Sequence, residues 1–374
     1  MAGIYIHIPF CKAKCHYCNF FSVASVRYKP QFVNHLLKEI ALQKDYLGGH
    51  TINTIYFGGG TPSLLETEGL KKIFDALHDQ FNIAGDAEIT LEANPDDINI
   101  QWIAGIKKCP VNRLSLGIQS FFDADLQYLN RKHTALQAKN AVKLLQDQGF
   151  GNLSIDLIYG IPGLKDKQWV KNLEIFRSLN IAHLSAYALT VEEKTALSIL
   201  IRKGKMAPPS DEDTVSHFKI LQEFMEVAGY IHYEISSFAR EGFYSRHNSL
   251  YWAGGHYLGL GPSAHSYNGI SRRWNKASLK EWFALDRYFS ESYEEEFLSV
   301  DQRYNEYVMT SLRTIWGCDL KVVQHEFGDK YHAYISKQMI RHIRDGMLTT
   351  DRGRIFLTRK GKLFADGIAA DMFM

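Results

Sequence analysis

The chain has 374 residues, of which 45% are hydrophobic and 13% aromatic, so it is long enough for two or three structural units with substantial cores. Its 43 lysines and arginines nearly balance its 41 acidic residues, which excludes a disordered composition and any general electrostatic attraction to nucleic acid. Three of its five cysteines lie within eight residues, and neither that spacing nor the odd number is typical of a secreted disulfide framework.

The sequence predicts a cytoplasmic protein. Met1–Pro9 has no basic leader followed by a long apolar segment, so we expect no signal peptide. No window approaches the roughly 20 consecutive apolar residues that span a bilayer. We therefore expect no integral membrane segment, and any membrane contact would be peripheral.

Short β-rich runs alternate with longer segments of helical spacing over the first two-thirds of the chain. Helices are predicted near residues 32–40, 66–81, 101–108, 135–148 and 168–179. Six units of this kind, with no dinucleotide-binding glycine pattern, favour an α/β fold with a partial (βα)₆ barrel over a doubly wound sheet. The six predicted strands are Gly3–Ile8, Thr51–Phe57, Ala87–Glu92, Asn112–Gly117, Leu153–Ile158 and Ala182–Tyr187.

The pattern changes near residue 200, where Lys203–Pro209 is rich in breakers. A helix is predicted over Asp211–Ala228, followed by an irregular stretch rich in glycine and aromatic residues over Phe238–Trp274. From about Asp301 the chain becomes helical again, with two further short helices and then a hairpin over Met347–Leu357, a layout similar to a winged helix. We expect three regions: the barrel in 1–200, a barrel extension and connecting region in 201–299, and a mostly helical domain in 300–374.

Cys11, Cys15 and Cys18 lie on one loop directly after the first strand, in a C-x₃-C-x₂-C spacing. Three thiolates can bind three irons of a [4Fe–4S] cluster and leave the fourth iron open to an exchangeable ligand. A zinc site with His7 or His16 as the fourth ligand remains an alternative. The two isolated cysteines, Cys109 and Cys318, are expected to be ordinary buried thiols.

Polar or glycine-rich motifs follow the other strands, where sites form in parallel α/β folds. Gly59, Gly60 and Thr61 belong to a G-G-G-T-P turn after the second strand, and such a turn lets the backbone approach a ligand closely. Glu92 ends the third strand and could accept hydrogen bonds from a ribose diol, although capping or pairing with a lysine is the commoner role of a lone glutamate.

Three more polar residues continue this series. Gln119 follows the fourth strand and offers both a donor and an acceptor. Arg131 offers a planar fork suited to a ligand carboxylate, with a surface ion pair as the alternative. Asp156 lies inside an apolar strand and needs a partner there.

In this order, the motifs resemble those of the radical S-adenosylmethionine (SAM) superfamily. The resemblance implies a [4Fe–4S] cluster on Cys11, Cys15 and Cys18 and a SAM molecule beside it. The SAM contacts that it implies are Tyr5, Tyr17, Gly59, Gly60, Thr61, Glu92, Gln119, Arg131 and Asp156.

Within that superfamily the chain resembles the family of oxygen-independent coproporphyrinogen III oxidase and its heme-chaperone branch. The oxidase has a further cysteine two positions after the third, where this chain has Phe20. The chaperone branch carries an H-N-x-x-Y-W motif, which is His247, Asn248, Tyr251 and Trp252 here. An imidazole can ligate heme iron, so His247 is the preferred candidate ligand.

His256 and His265 are weaker candidates for the heme ligand, and a packed aromatic corner is the structural alternative for the motif. We therefore hypothesise a heme chaperone that carries a SAM-binding cluster and delivers heme to acceptor hemoproteins without oxidase activity. The first alternative is a coproporphyrinogen III oxidase that uses SAM for radical decarboxylation. A winged-helix nucleic-acid-binding protein with a structural metal is a weaker one, since the near-neutral charge predicts no nucleic-acid partner.

Overall fold

A computed structural model describes residues 2–25, 27–284 and 292–374. In this part of the chain, twelve strands form one sheet. At its centre six parallel strands follow one another in chain order: β1 (Ala2–Ile8), β2 (Ile52–Gly59), β3 (Ile83–Ala93), β4 (Arg113–Gln119), β5 (Leu153–Tyr159) and β6 (His183–Ala188). All six predicted strands are confirmed, as is the parallel core of a partial (βα)₆ barrel.

Helices connect these strands and bury one face against them. Phe32, Leu36 and Ile40 of the first helix are completely buried, as the predicted spacing requires. The helices are α1 (Lys29–Leu42), α2 (Thr67–Gln80), α3 (Ile100–Ile106), α4 (Asp123–Tyr128), α5 (Ala135–Asp147) and α6 (Asp166–Ser178). Only α4 has no predicted counterpart, because six residues are too few to show helical periodicity.

The next region begins with two helices and then adds strands to the sheet. Its elements are α7 (Ala196–Arg202), α8 (Asp211–Val227), β7 (Ile231–Glu234), β8 (Ser237–Ala239), α9 (Arg246–Trp252), β9 (His256–Leu260), β10 (His265–Tyr267), β11 (Ser271–Asn275), α10 (Leu279–Trp282) and β12 (Tyr293–Phe297). The predicted α8 is confirmed. The expectation of an irregular stretch over Phe238–Trp274 is wrong, because β9, β10, β11 and α9 lie within it.

These added strands extend the sheet at both edges. β9 pairs with β1 in parallel, and β8 pairs with β6 in antiparallel orientation. Gly259 in β9 lies so close to β10 that a Cβ atom there would be 2.1 Å from the carbonyl oxygen of His265. These strands are short and pack closely at glycine positions, so they contain no long alternation of polar and apolar residues. The sequence pattern therefore did not reveal them.

A buried carboxylate joins α1 to the extended edge of the sheet. Glu39 accepts hydrogen bonds from the Gly261 backbone N–H (2.8 Å), Asn275 Nδ2 (2.6 Å) and Trp282 Nε1 (3.0 Å). Complete burial raises the pKa of Glu39 to about 7, although the three donors act in the opposite direction. The network holds the loop after β9 against the barrel.

The C-terminal domain has a separate hydrophobic core. It contains α11 (Val300–Leu312), β13 (Cys318–Asp319), α12 (Leu320–Val322), α13 (Asp329–Arg344), β14 (Leu348–Asp351), β15 (Arg354–Leu357) and α14 (Ala365–Ala370), with a π-helical turn at Val323–Phe327. The predicted hairpin is confirmed as β14 and β15, and Arg352 and Gly353 both have positive φ in its turn. With 16 residues, α13 is longer than predicted. Within the described ranges, no helix has the length and apolar character needed to cross a membrane.

Candidate functional site

The cysteine loop, residues 11–22, leaves the sheet at the carboxyl end of β1. Its base is closed by hydrogen bonds from Cys11 N to Val23 O (3.1 Å) and from Val23 N to Pro9 O (2.7 Å). Its middle is attached to the segment after α4, where Asn130 Nδ2 donates to Lys14 O at 2.9 Å. The loop is therefore held at both its base and its middle.

The five cysteines divide as the sequence predicts. Cys109 and Cys318 are confirmed as buried thiols, whereas the three loop thiols are half-buried beside a cavity. Burial raises the pKa values of Cys11 and Cys18 above the ordinary thiol value. Their deprotonation must then accompany metal binding, as is general for thiolate ligands.

Side chains from outside the loop donate to its thiols. Thr61 Oγ1 lies 3.6 Å from Cys11 Sγ, and Arg131 Nη1 lies 3.4 Å from Cys15 Sγ. Such donors stabilise thiolates that ligate metal. Among the described residues, no three His, Cys, Asp or Glu side chains converge as ligands of one metal ion do. An iron–sulfur cluster does not require its three cysteines to converge on one ion, because each cysteine binds a different iron. The spacing of the loop cysteines is compatible with this arrangement.

The zinc alternative required His7 or His16 as a fourth ligand. His7 Nε2 donates to Phe21 O at 2.8 Å, and its Nδ1 lies 3.3 Å from the Tyr5 hydroxyl. His16 Nδ1 lies 2.9 Å from Tyr128 O. Both nitrogens of His7 and one of His16 thus have partners within the protein, which disfavours the zinc alternative.

A cavity of about 550 Å³ lies between the cysteine loop and the carboxyl ends of the parallel strands. We call it the first cavity. Its volume is within the range of small-molecule sites, roughly 300–1,000 Å³. Eight of the nine predicted SAM contacts line it: Tyr17, Gly59, Gly60, Thr61, Glu92, Gln119, Arg131 and Asp156. Contact between these residues and SAM remains a prediction.

The glycine turn brings β2 against the root of the cysteine loop. Gly60 N donates to Ile8 O at 2.8 Å, and a Cβ atom on Gly60 would lie 2.7 Å from Phe10 O. Gly59 has a φ of 104° and lies over the ring of His7. The sequence suggested a close approach of backbone to ligand; the structure shows that these glycines also permit a close approach of backbone to backbone.

Glu92 and Asp156 on the parallel strands present carboxyl groups to the first cavity. Tyr56 Oη donates to Glu92 Oε1 at 2.8 Å, so the partner of Glu92 is a phenol and not the lysine of the alternative interpretation. Loss of water contact, reinforced by Asp156, raises the pKa of Glu92 to about 7. Desolvation raises the pKa of Asp156 to about 6, and a 3.4 Å hydrogen bond from Ser115 opposes this shift. Both groups can accept hydrogen bonds from a ligand hydroxyl.

Arg131 connects the cysteine loop to the ends of two strands. Its Nη2 donates to Gly117 O at 2.6 Å and to Asn94 Oδ1, while Nη1 donates to Cys15 Sγ. Its buried Nε has no partner among the described residues. The guanidinium therefore does not form the surface ion pair of the alternative interpretation, and a ligand carboxylate would satisfy its remaining donor capacity.

Gln119 reaches the first cavity through an unusual backbone conformation. It is buried and has a φ of 68°, which is uncommon for a residue other than glycine and concentrates at functional sites. Asn94, Ser115 and Tyr187 are among the lining residues that the sequence analysis did not identify. Asn94 directly follows β3 and Tyr187 lies near the carboxyl end of β6, so their positions could have identified them, whereas Ser115 lies inside β4.

Tyr5 is the predicted SAM contact that does not line the first cavity. Its ring stacks beside Tyr56 and His247, with centroid distances of 6.1 and 6.4 Å. It lines a second cavity of about 800 Å³ between the sheet edge and the C-terminal domain. Phe20 of the cysteine loop lines both cavities.

The H-N-x-x-Y-W motif lies on α9 and is divided between the core and the second cavity. His247 is buried; its Nδ1 lies 2.8 Å from Thr54 Oγ1, and its Nε2 lies 2.8 Å from the Tyr251 hydroxyl. Burial lowers the pKa of His247 to about 3, and Arg113 contributes. Tyr251 and Trp252 line the second cavity. Asn248 does not line that cavity, and heme ligation by His247 would require the loss of one of its hydrogen bonds.

The two weaker heme-ligand candidates differ in position. His265 is exposed and lines the second cavity, whereas His256 does not line it and packs edge-on against His50 at 5.0 Å. The predicted heme residues are therefore only partly brought together, and all of them remain predictions.

Known protein families match both ends of the chain. The Radical SAM superfamily pattern matches residues 5–176, and the HemN C-terminal domain matches residues 298–364. The solved structure of coproporphyrinogen III oxidase (HemN) from Escherichia coli covers 100% of this chain and 90% of its own, with a TM-score of 0.86 and 22% identity. That similarity shows a shared fold.

Similar curated proteins carry the name heme chaperone HemW. The protein from Mycobacterium tuberculosis is 33% identical and is covered over 93% of its length, and that from Bacillus subtilis is 32% identical over 98%. The Escherichia coli protein is 32% identical over 96% of its length, and each alignment spans 98% of this chain. The chain therefore belongs to the HemW family of the radical SAM superfamily.

Proposed function

We propose that this protein is a heme chaperone, which binds heme and transfers it to acceptor hemoproteins. The observation that carries the proposal is the similarity of almost the whole chain to proteins named heme chaperone HemW. Because the alignments span 98% of the chain, they include both the parallel sheet and the C-terminal domain.

The resident cofactors of this proposal are a [4Fe–4S] cluster and SAM. Cys11, Cys15 and Cys18 would hold the cluster, which would supply one-electron chemistry to a bound SAM. Thr61 and Arg131 would stabilise the thiolates through the contacts described above. The first cavity lies beside these thiols and is large enough for a small-molecule ligand.

The strand-end residues would orient SAM. Glu92 and Asp156 can accept hydrogen bonds from sugar hydroxyls, and Gln119 can both donate and accept. The unsatisfied donor of Arg131 suits the carboxylate of the amino-acid moiety. Tyr17 adds an aromatic surface on the same lining.

A coproporphyrinogen III oxidase is the alternative, and the first cavity is the observation that favours it, since a site for SAM beside a cluster suits radical chemistry. Against it stands Phe20, which occupies the position where the resemblance places a further cysteine in the oxidase. Phe20 is 62% exposed and cannot ligate iron. The similarity to the solved oxidase concerns the fold only.

We propose that the protein acts in a reducing cytoplasm, where its partners are heme and acceptor hemoproteins and its contact with membranes is peripheral. The reducing environment is supported by the free state of all five cysteines. Basic residues that raised the possibility of a nucleic-acid partner are partly neutralised, because Arg354 lies 3.1 Å from Asp319 and Arg359 lies 3.2 Å from Glu226.

Heme titration of the anaerobically reconstituted protein tests the proposal against its alternative. A saturable Soret band, together with no decarboxylation of coproporphyrinogen III under reducing conditions with SAM, is the expected result. Failure to bind heme would refute the chaperone function. Formation of a decarboxylated porphyrinogen would establish the oxidase.

A further inference from the structure

Aromatic side chains form two facing walls of the second cavity. One wall comes from α9, β9 and β10, and the other comes from α11 and the π-helical turn. The aromatic residues of these two walls are Tyr251, Trp252, Tyr257, Tyr267, Tyr307 and Phe327, and Tyr5 and Phe20 also line the cavity. The volume of about 800 Å³ lies within the range of small-molecule sites, and paired aromatic walls suit a flat, apolar ring system.

The cavity also contains a cation that lacks an acidic partner. Arg303, Glu306, Tyr307 and Thr310 lie on one face of α11 and line the cavity. Glu306 pairs with Arg272 at 2.7 Å, so their charges cancel. Arg303 is half-buried and forms no ion pair with any described residue. A carboxylate on the ligand would complement it.

Among the described residues, two imidazoles line the second cavity, and one of them is free to ligate a metal. Both ring nitrogens of His7 have hydrogen-bond partners. His265 is exposed, its ring stacks on Trp274 at 6.1 Å, and neither of its nitrogens is hydrogen-bonded to a described residue. Desolvation of the imidazole ring, together with the charge of Arg272, lowers the pKa of His265 even though the residue as a whole is exposed, and this favours the neutral imidazole that binds iron.

Three phenols of the cavity, Tyr251, Tyr267 and Tyr307, are poorer iron ligands than His265. The hydroxyl of Tyr251 is bound to His247, and that of Tyr267 donates to a backbone carbonyl. The hydroxyl of Tyr307 accepts a 3.0 Å hydrogen bond from the backbone of Asp319. Burial raises the pKa of each of these phenols, which disfavours the phenolate form.

We infer that heme binds in the second cavity, with His265 as its axial ligand and Arg303 as the partner of a propionate. This placement rests on the heme-chaperone function proposed above. His247 is then a positioning residue, because it holds Tyr251 in the cavity wall and does not contact the iron. The C-terminal domain supplies one wall of the site, which gives it a role in heme binding.

Spectroscopy of heme-loaded full-length variants tests the ligand. Hemin is added to wild type, His265→Gly, His247→Ala and the control His256→Ala, and the iron–histidine stretch of the ferrous heme is read by resonance Raman. His265→Gly should lose this signal and regain it with added imidazole. His247→Ala should bind hemin several-fold more weakly but keep the signal, and the control should match wild type.

A second measurement tests the propionate partner. Arg303→Gln should weaken hemin binding about tenfold, the loss expected for one charge-assisted hydrogen bond, and should leave binding of hemin dimethyl ester unchanged. Equal losses for the two ligands would overturn the role of Arg303.

Two outcomes of the spectroscopy distinguish the placement from the function. If wild type binds heme while His265→Gly keeps the iron–histidine signal and His247→Ala loses it, the placement is overturned and the chaperone function stands. If wild type binds no heme, the proposed function fails and the placement fails with it.

Discussion

Gly60→Ala tests how the glycine turn supports the cysteine loop. A Cβ atom at this position would lie 2.7 Å from Phe10 O, 2.8 Å from Ile8 O and 3.0 Å from Phe10 N, whereas ordinary contacts begin at about 3.4 Å. All three atoms belong to the backbone, so no side-chain rotation relieves the overlap. The two segments must separate by more than half an ångström, and overpacking of this kind costs about 1–3 kcal/mol.

The separation moves Phe10, which directly precedes the predicted cluster ligand Cys11, so the effect should reach the cofactor as well as stability. We expect Gly60→Ala to lower the unfolding free energy in urea and to reduce the iron bound after anaerobic reconstitution. Gly85→Ala is the matched control, because a Cβ atom there has no neighbour within 4 Å. If Gly60→Ala retained the stability and iron content of the control, the proposed packing against the cysteine loop would be refuted.

Three further predictions concern the thiols, Arg131 and Glu39. Cys15→Ser should abolish the iron–sulfur absorption and EPR signal, whereas Cys109→Ser should preserve both. Arg131→Met should weaken SAM binding about 10–100-fold in calorimetry, because a hydrogen bond to a charged group contributes roughly 1.5–3 kcal/mol, and unchanged affinity would argue against its position in the site. Because the Glu39 pKa in the folded state (about 7) exceeds the ordinary value of 4.5, this group loses stabilising free energy as pH rises through that interval. Relative to Glu39→Gln, which cannot ionise, wild type should lose roughly 2–3 kcal/mol of unfolding free energy between pH 5 and 8, and a constant difference would contradict the burial argument.

Most of the fold was predicted from long segments with periodic hydrophobicity. The six parallel strands and their larger helices alternate regularly, and the carboxyl ends of parallel strands necessarily meet at one edge. Eight of the nine residues predicted to contact SAM therefore line the first cavity, although other lining residues were not predicted. The strands around Gly259 could not, because they are short and their packing depends on a missing side chain. The two hydrogen bonds of the His247 ring could not be predicted either, because Thr54 lies far away in sequence and only the fold brings the two residues together.

The second cavity was unpredictable for a similar reason. Its walls come from α9, β9, β10 and α11, and the sequence pattern assigned no contact between those segments. Arg303 and Tyr307 could be placed on a helix, but the partner of that helical face depends on how the C-terminal domain meets the sheet. Ligand sites at such junctions require the three-dimensional structure.

The proposed function of this protein is to transfer heme to other proteins, and the kinetics of transfer test it most directly. Heme-loaded protein is mixed with increasing concentrations of a heme-free b-type cytochrome, and the rate at which the cytochrome spectrum appears is measured. A chaperone that transfers heme by direct contact predicts a rate that rises with cytochrome concentration. A rate independent of that concentration would show simple dissociation into solvent and would contradict the account.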